Sequence, residues 1–92
     1  MIRHIDWLHY NELYAVMAAH GFTSEARPDG GTAFRHPRGE ILLFPHVDTA
    51  EPVITYHYGA VRKAMADYGI MTRDAFDLAL LQAAHRLPTL TP

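Results

Sequence analysis

Ninety-two residues with 8 lysines and arginines against 10 acidic residues, a formal charge of −2, suffice for one small domain that buries about two thirds of its unfolded surface. A hydrophobic share of 49% and a charged share of 20% exclude disordered, collagen-like and coiled-coil chains. The absence of cysteine excludes a disulfide framework, a thiolate zinc site and a cysteine nucleophile, as expected of a chain from a reducing cytoplasm.

The slight acidic excess counts against strong binding of nucleic acid, which needs positive charge to neutralise phosphates. A local basic stripe, or protonation of some of the seven histidines in mild acid, could still offset it. Residues 1–7 lack the apolar run of a signal peptide, and no stretch approaches about 18 apolar residues, so a cytoplasmic chain that does not enter membranes is expected.

In chain order, Ile5 and Leu8 predict a backward extension of the first helix, in preference to an edge strand on Ile2, His4 and Asp6. The helix itself is predicted over 12–20, with Asn11 as its N-cap, Leu13, Val16, Met17 and His20 at helical spacing, and Gly21 as its stop. Phe22-Thr23-Ser24-Glu25-Ala26 reads as a first strand. The turn Arg27-Pro28-Asp29-Gly30-Gly31 leads to a second strand over 32–36. Pro37-Arg38-Gly39-Glu40 then leads to a third, Ile41-Leu42-Leu43-Phe44, ended by Pro45. The expected sheet is an antiparallel three-stranded meander.

Residues 46–55 read as a long loop and a candidate contact surface. A second helix is predicted over 59–68, with Val61, Met65 and Tyr68 on one face and Gly69 as the stop. A third begins after a Thr72 cap, with Asp74 in its first turn, an apolar stripe of Phe76, Leu80, Ala83 and Leu87, and Arg86 before Pro88.

This order meets particular words: Glu12-Leu13 with His20-Gly21-Phe22, Phe34-Arg35-His36-Pro37, Pro45-His46, Gly59-Ala60-Val61-Arg62-Lys63-Ala64-Met65, and Tyr68-Gly69-Ile70. Together they resemble the HicA family of mRNA interferases, the toxins of HicAB toxin–antitoxin systems, over about sixty residues. The resemblance implies an α+β fold: a double-stranded-RNA-binding-like α-β-β-β-α domain, with its core over about 10–70 and an additional C-terminal helix over about 72–87. It also implies a catalytic histidine at the opening of the second strand. Here that segment reads Asp29-Gly30-Gly31-Thr32-Ala33-Phe34, with Gly31 in the histidine's place. Cleaving RNA near neutral pH needs a group that takes the 2′-hydroxyl proton, and glycine has none. The loop after Pro45-His46 is about four residues longer than the family's, and Ala60 replaces a threonine expected before the second helix.

His36, His46 and His57 lie where one of them could replace the lost base, although packed or hydrogen-bonded structural histidines are the plainer reading. Asp29, Asp48 and Glu51 have no metal-ligand spacing with the histidines, so neither a metal nor a cofactor is expected. Arg27, Arg35, Arg38, Arg62 and Lys63 are the candidate RNA- or partner-binding cations, joined by Tyr56, whereas Tyr58 should pack. Ile41-Leu42-Leu43-Phe44 shows apolar side chains to both faces of the sheet. One pair should join the core and the other should meet a cover: the third helix, the amino-terminal segment, a second copy or a partner.

The resulting expectation is a degenerate HicA-like binding domain without ribonuclease activity. Its ligand is RNA or a protein such as an antitoxin or host protein, and it forms a homo-oligomer or hetero-complex away from membranes. Two alternatives stay open, an endoribonuclease using a displaced histidine and a phage- or mobile-element-borne protein-interaction module.

Overall fold

Turn chemistry sets the larger sheet. In the computed structural model, which describes residues 2–39 and 41–85, the Arg27 N–H donates to the Gly31 carbonyl at 2.9 Å and the Asp29 carboxylate accepts the Gly31 N–H at 2.9 Å. Gly30 takes φ +88° at the bend, a conformation that glycine adopts without strain.

The elements are β1 (His4–His9), α1 (Tyr10–Ala19), β2 (Thr23–Ala26), β3 (Thr32–Arg35), β4 (Ile41–Phe44), β5 (Pro52–Ile54), α2 (Thr55–Asp67) and α3 (Arg73–Ala83). β2, β3 and β4 form the expected antiparallel meander, with Ser24 opposite Phe34 and Phe34 opposite Leu42. The chain is thus a small α+β domain. No described helix is long and apolar enough to cross a membrane.

The structure corrects the reading of the amino end, which is a strand. β1 pairs antiparallel with β5, His4 opposite Ile54 and Ile5 opposite Val53, with an irregularity before His9. β5 lies within the stretch read as loop. Pro52 is tolerated there because it opens the strand. The remainder of that stretch is also held: the Tyr10 and Asn11 N–H groups, unpaired within their own helix, donate to Glu51 and Thr49 carbonyls at 3.1 and 3.0 Å.

The same contacts move the start of α1. Its N-cap is His9 rather than Asn11, and the Glu12 carboxylate accepts the His9 N–H at 2.8 Å, the return half of a capping box. α2 likewise starts earlier than expected, because β5 runs straight into it and the Thr55 N–H donates to Arg3 at 2.9 Å. Ala60 is therefore inside the helix, where no cap is needed, and Tyr68, expected on the buried face, is an exposed C-cap. Thr72 caps α3 as expected, its hydroxyl accepting the Ala75 N–H at 3.1 Å. Arg86, Leu87 and Glu40 lie outside the described residues.

Leu8, Tyr10, Leu13, Met17, Val53, Val61, Met65, Phe76 and Leu80 make the fully buried core. α3 packs against both α1 and α2, so Phe76 and Leu80 fill the space between them instead of lying over the sheet. In β4, Phe44 is buried and Leu42 half-buried, whereas Ile41 and Leu43 keep 47% and 58% of their surface exposed. The amino-terminal segment and α3, two of the four expected covers, are both engaged elsewhere.

Phe76→Ala should cost about 3–5 kcal/mol, since it removes a fully buried ring and leaves a cavity. Urea unfolding should show this as a lower midpoint or as loss of the folded state.

Candidate functional site

The β2–β3 turn, the place of the resembled catalytic histidine, has no room for a side chain at Gly31. A Cβ built there would stand 2.4 Å from the Phe44 carbonyl oxygen, so β3 and β4 approach each other only because the residue is glycine. His46, two residues after β4, folds back over the turn. Its Nδ1 lies 3.1 Å from the Gly30 carbonyl oxygen. A carbonyl only accepts, so Nδ1 carries the proton and a neutral ring leaves exposed Nε2 as its basic nitrogen.

His36 is held differently. Its Nε2–H donates to the His20 carbonyl at 3.0 Å, its Nδ1 accepts the Arg38 N–H at 3.1 Å, and its ring meets Phe22 edge-on. Both nitrogens are committed to fastening the β3–β4 turn to the end of α1, leaving no free lone pair to take a proton. His57, in the first turn of α2, places Nδ1 2.6 Å from the Tyr10 hydroxyl. Among the described residues no group of three histidine or acidic side chains could hold a metal ion.

The five candidate cations do not gather into a stripe. Arg27 and Arg38 sit in the turns at opposite ends of β3, Arg35 projects from β3, and Arg62 and Lys63 ride on α2. Each also has a partner. Arg27 lies 3.8 Å from Asp29, Arg35 lies 3.4 Å from Glu25, and Lys63 pairs with Asp67 one helical turn on. The Arg38 guanidinium donates to the Tyr68 carbonyl at 3.2 Å.

Arg62 is the most firmly held. Its Nε and Nη2 donate to the two Asp77 oxygens at 3.1 and 3.0 Å, and the Tyr58 hydroxyl donates to the same carboxylate at 2.6 Å. This clasp joins α2 to α3, with Tyr58 stacked on Phe76. Burial opposes the charge on Asp77, but the hydrogen bonds from Arg62 and Tyr58 outweigh it and hold the carboxyl below its ordinary 3.8. Burial, followed by the bond to Asp77, pushes the Tyr58 hydroxyl up to about 12.

The outer face of the larger sheet carries two exposed apolar side chains, Ile41 and Leu43. Side chains on one face alternate along each strand, and the register sets Ala33 opposite Leu43 and Arg35 opposite Ile41. The result is a small apolar surface beside the Arg35–Glu25 pair. Tyr56, 78% exposed, extends from α2, as its sequence position suggested. Sequence reasoning missed Asp77 as the holder of Arg62. The four-residue spacing of Tyr58 and Arg62, which puts them on one side of a helix, was the available signal.

Gly31→His should therefore destabilise the fold by about 1–3 kcal/mol through overpacking and restore no cleavage of RNA, which urea unfolding and incubation with RNA would show. Asp77→Asn should lower stability near neutral pH and flatten the acid limb of a stability–pH profile. The sign follows from a folded pKa depressed below 3.8: the carboxylate's contribution is complete above that value and is lost as pH falls through the folded pKa.

Comparison with family models, with curated proteins and with solved structures found no match, so the functional reading rests on the geometry of the site.

Proposed function

We propose that the chain is a HicA-like binding domain without ribonuclease activity, acting in the cytoplasm, and that its ligand is a protein. Support for the reading comes from the helix α1, the meander β2-β3-β4 and the helix α2 following in that order, although β5 intervenes between β4 and α2 and β1 and α3 flank the run. One observation carries the choice of ligand. Each of the five candidate cations already holds a carboxylate or carbonyl of the same chain, whereas Ile41 and Leu43 stand exposed on the outer face of the sheet. Phosphate binding at Arg62 would first have to break its clasp on Asp77, while covering the apolar pair gains roughly 1.5–3 kcal/mol for each side chain that goes from exposed to fully buried.

A second reading, cleavage of RNA by a displaced base, is favoured by His46 alone. Its ring lies against Gly30, 3.5 Å from where a Cβ on that residue would stand, and its exposed Nε2 points away from the carbonyl that fixes it. Gly31 itself offers no group for the chemistry.

Purified protein should leave mixed RNA intact and should not bind a structured RNA hairpin. Cleavage that disappears in His46→Ala would establish the displaced base, and hairpin binding that weakens steeply with added salt would establish the RNA-binding reading. Light scattering identifies a second copy as the protein ligand if the mass of an oligomer falls to that of the monomer in Leu43→Lys.

A further inference from the structure

His57 stands at the seam between the two sheets. Its ring stacks on Phe44, the last residue of β4, with centroids 5.2 Å apart and planes 18° from parallel, and it meets the Tyr10 ring edge-on. The Tyr10 hydroxyl reaches both sides of the junction: it lies 2.6 Å from His57 Nδ1 and accepts the Ile54 N–H of β5 at 3.2 Å. Tyr10 is 2% exposed.

These contacts decide where the protons are. The Ile54 N–H can only donate, so the Tyr10 oxygen is its acceptor, and the hydroxyl's own hydrogen needs an acceptor in turn. Among the described residues Nδ1 of His57 is the partner given to it. The ring is therefore neutral, with its hydrogen on Nε2. Protonation would place a second hydrogen between Nδ1 and the Tyr10 oxygen, turning an acceptor into a donor and leaving the Tyr10 O–H in the core with nothing to bond.

We propose that His57 is an acid-released latch: protonation of its ring breaks the Tyr10 hydrogen bond and opens the seam where β4, β5 and the starts of α1 and α2 meet. The titratable groups around the ring are Tyr10 on α1, with Tyr14 behind it against Phe44, and Tyr56 beside it on α2. Among the described residues β4 gives it the Phe44 ring, and β5 reaches it through the Ile54 N–H held by Tyr10. Burial lowers the basicity of His57, and the hydrogen bond its Nδ1 accepts from Tyr10 favours the same neutral ring. The neutral latch is thus fully made above the ordinary histidine pKa of 6.5 and is lost as pH falls from there through its own lower pKa. The Arg62–Asp77 clasp responds over a lower range, because Asp77 keeps its charge below 3.8. Mild acid therefore opens the seam while α2 and α3 stay joined.

Amide exchange and imidazole NMR on the full chain test this. The protection factor of the Ile54 amide should fall about ten-fold or more between about pH 7.5 and about pH 5, while that of Leu80 in α3 holds. The His57 ring should titrate below 6.5, and Tyr10→Phe, which removes the hydroxyl but keeps the buried ring, should raise its titration point. His57→Phe keeps an aromatic ring on Phe44 and should leave Ile54 weakly protected at every pH. Wild-type His57 titrating at or above 6.5, or Ile54 protection unchanged across the range, would overturn the proposal without recourse to either variant.

Discussion

Neither sheet of this domain could persist alone. β1 and β5 make a two-stranded ribbon with three residues on one side, and β2, β3 and β4 contribute four residues each. Ribbons of that size are marginal in water without a helix against them. The seating of Phe76 and Leu80 between α1 and α2 supplies what both lack, since α3 holds the two helices at a fixed separation and each helix can then present a buried face to its neighbours. The helix that reads in sequence as an addition to a finished domain is part of the core.

Charge is likewise paired within the chain, at its surface. The formal charge is −2, and the five candidate cations are each paired within the chain. A guanidinium that already has a bidentate carboxylate, as Arg62 has, must give up that geometry before it can meet a phosphate. Arg27 and Arg35, more exposed and more loosely paired, could exchange partners at less cost, but they lie on different parts of the sheet.

Much of the fold was legible because its signals are local. Pro-Asp-Gly-Gly marks a turn wherever it occurs, Thr72 caps the amides immediately after it, and the apolar run of β4 states its own strand. β1 and β5 were hidden because their pairing joins residues some fifty positions apart, and Pro52-Val53-Ile54 is too short to show a period. The start of α1 was misplaced for a related reason: its amides are satisfied by Glu12 and by loop carbonyls, so nothing at Asn11 had to act. For the site, the exposure of Tyr56 and the two-faced character of β4 were readable. The neutralisation of Arg62 by Asp77, across 15 residues, was not, because it depends on how two helices cross.

The pairing of β1 with β5 also bears on the order of synthesis. His4 waits for Ile54, fifty positions on, and the core closes only when Leu80 of α3 arrives. A domain whose first described strand depends on its fifth, and whose core depends on α3, closes only after that helix has been made. The meander β2-β3-β4, all local contacts, can form on the nascent chain, but β1 remains unpaired beside it until β5 has followed. During that interval Ile5, Trp7 and Leu8 are exposed to whatever else is nearby, so a chaperone or a crowded neighbour has its opportunity at β1 while the meander is already in place.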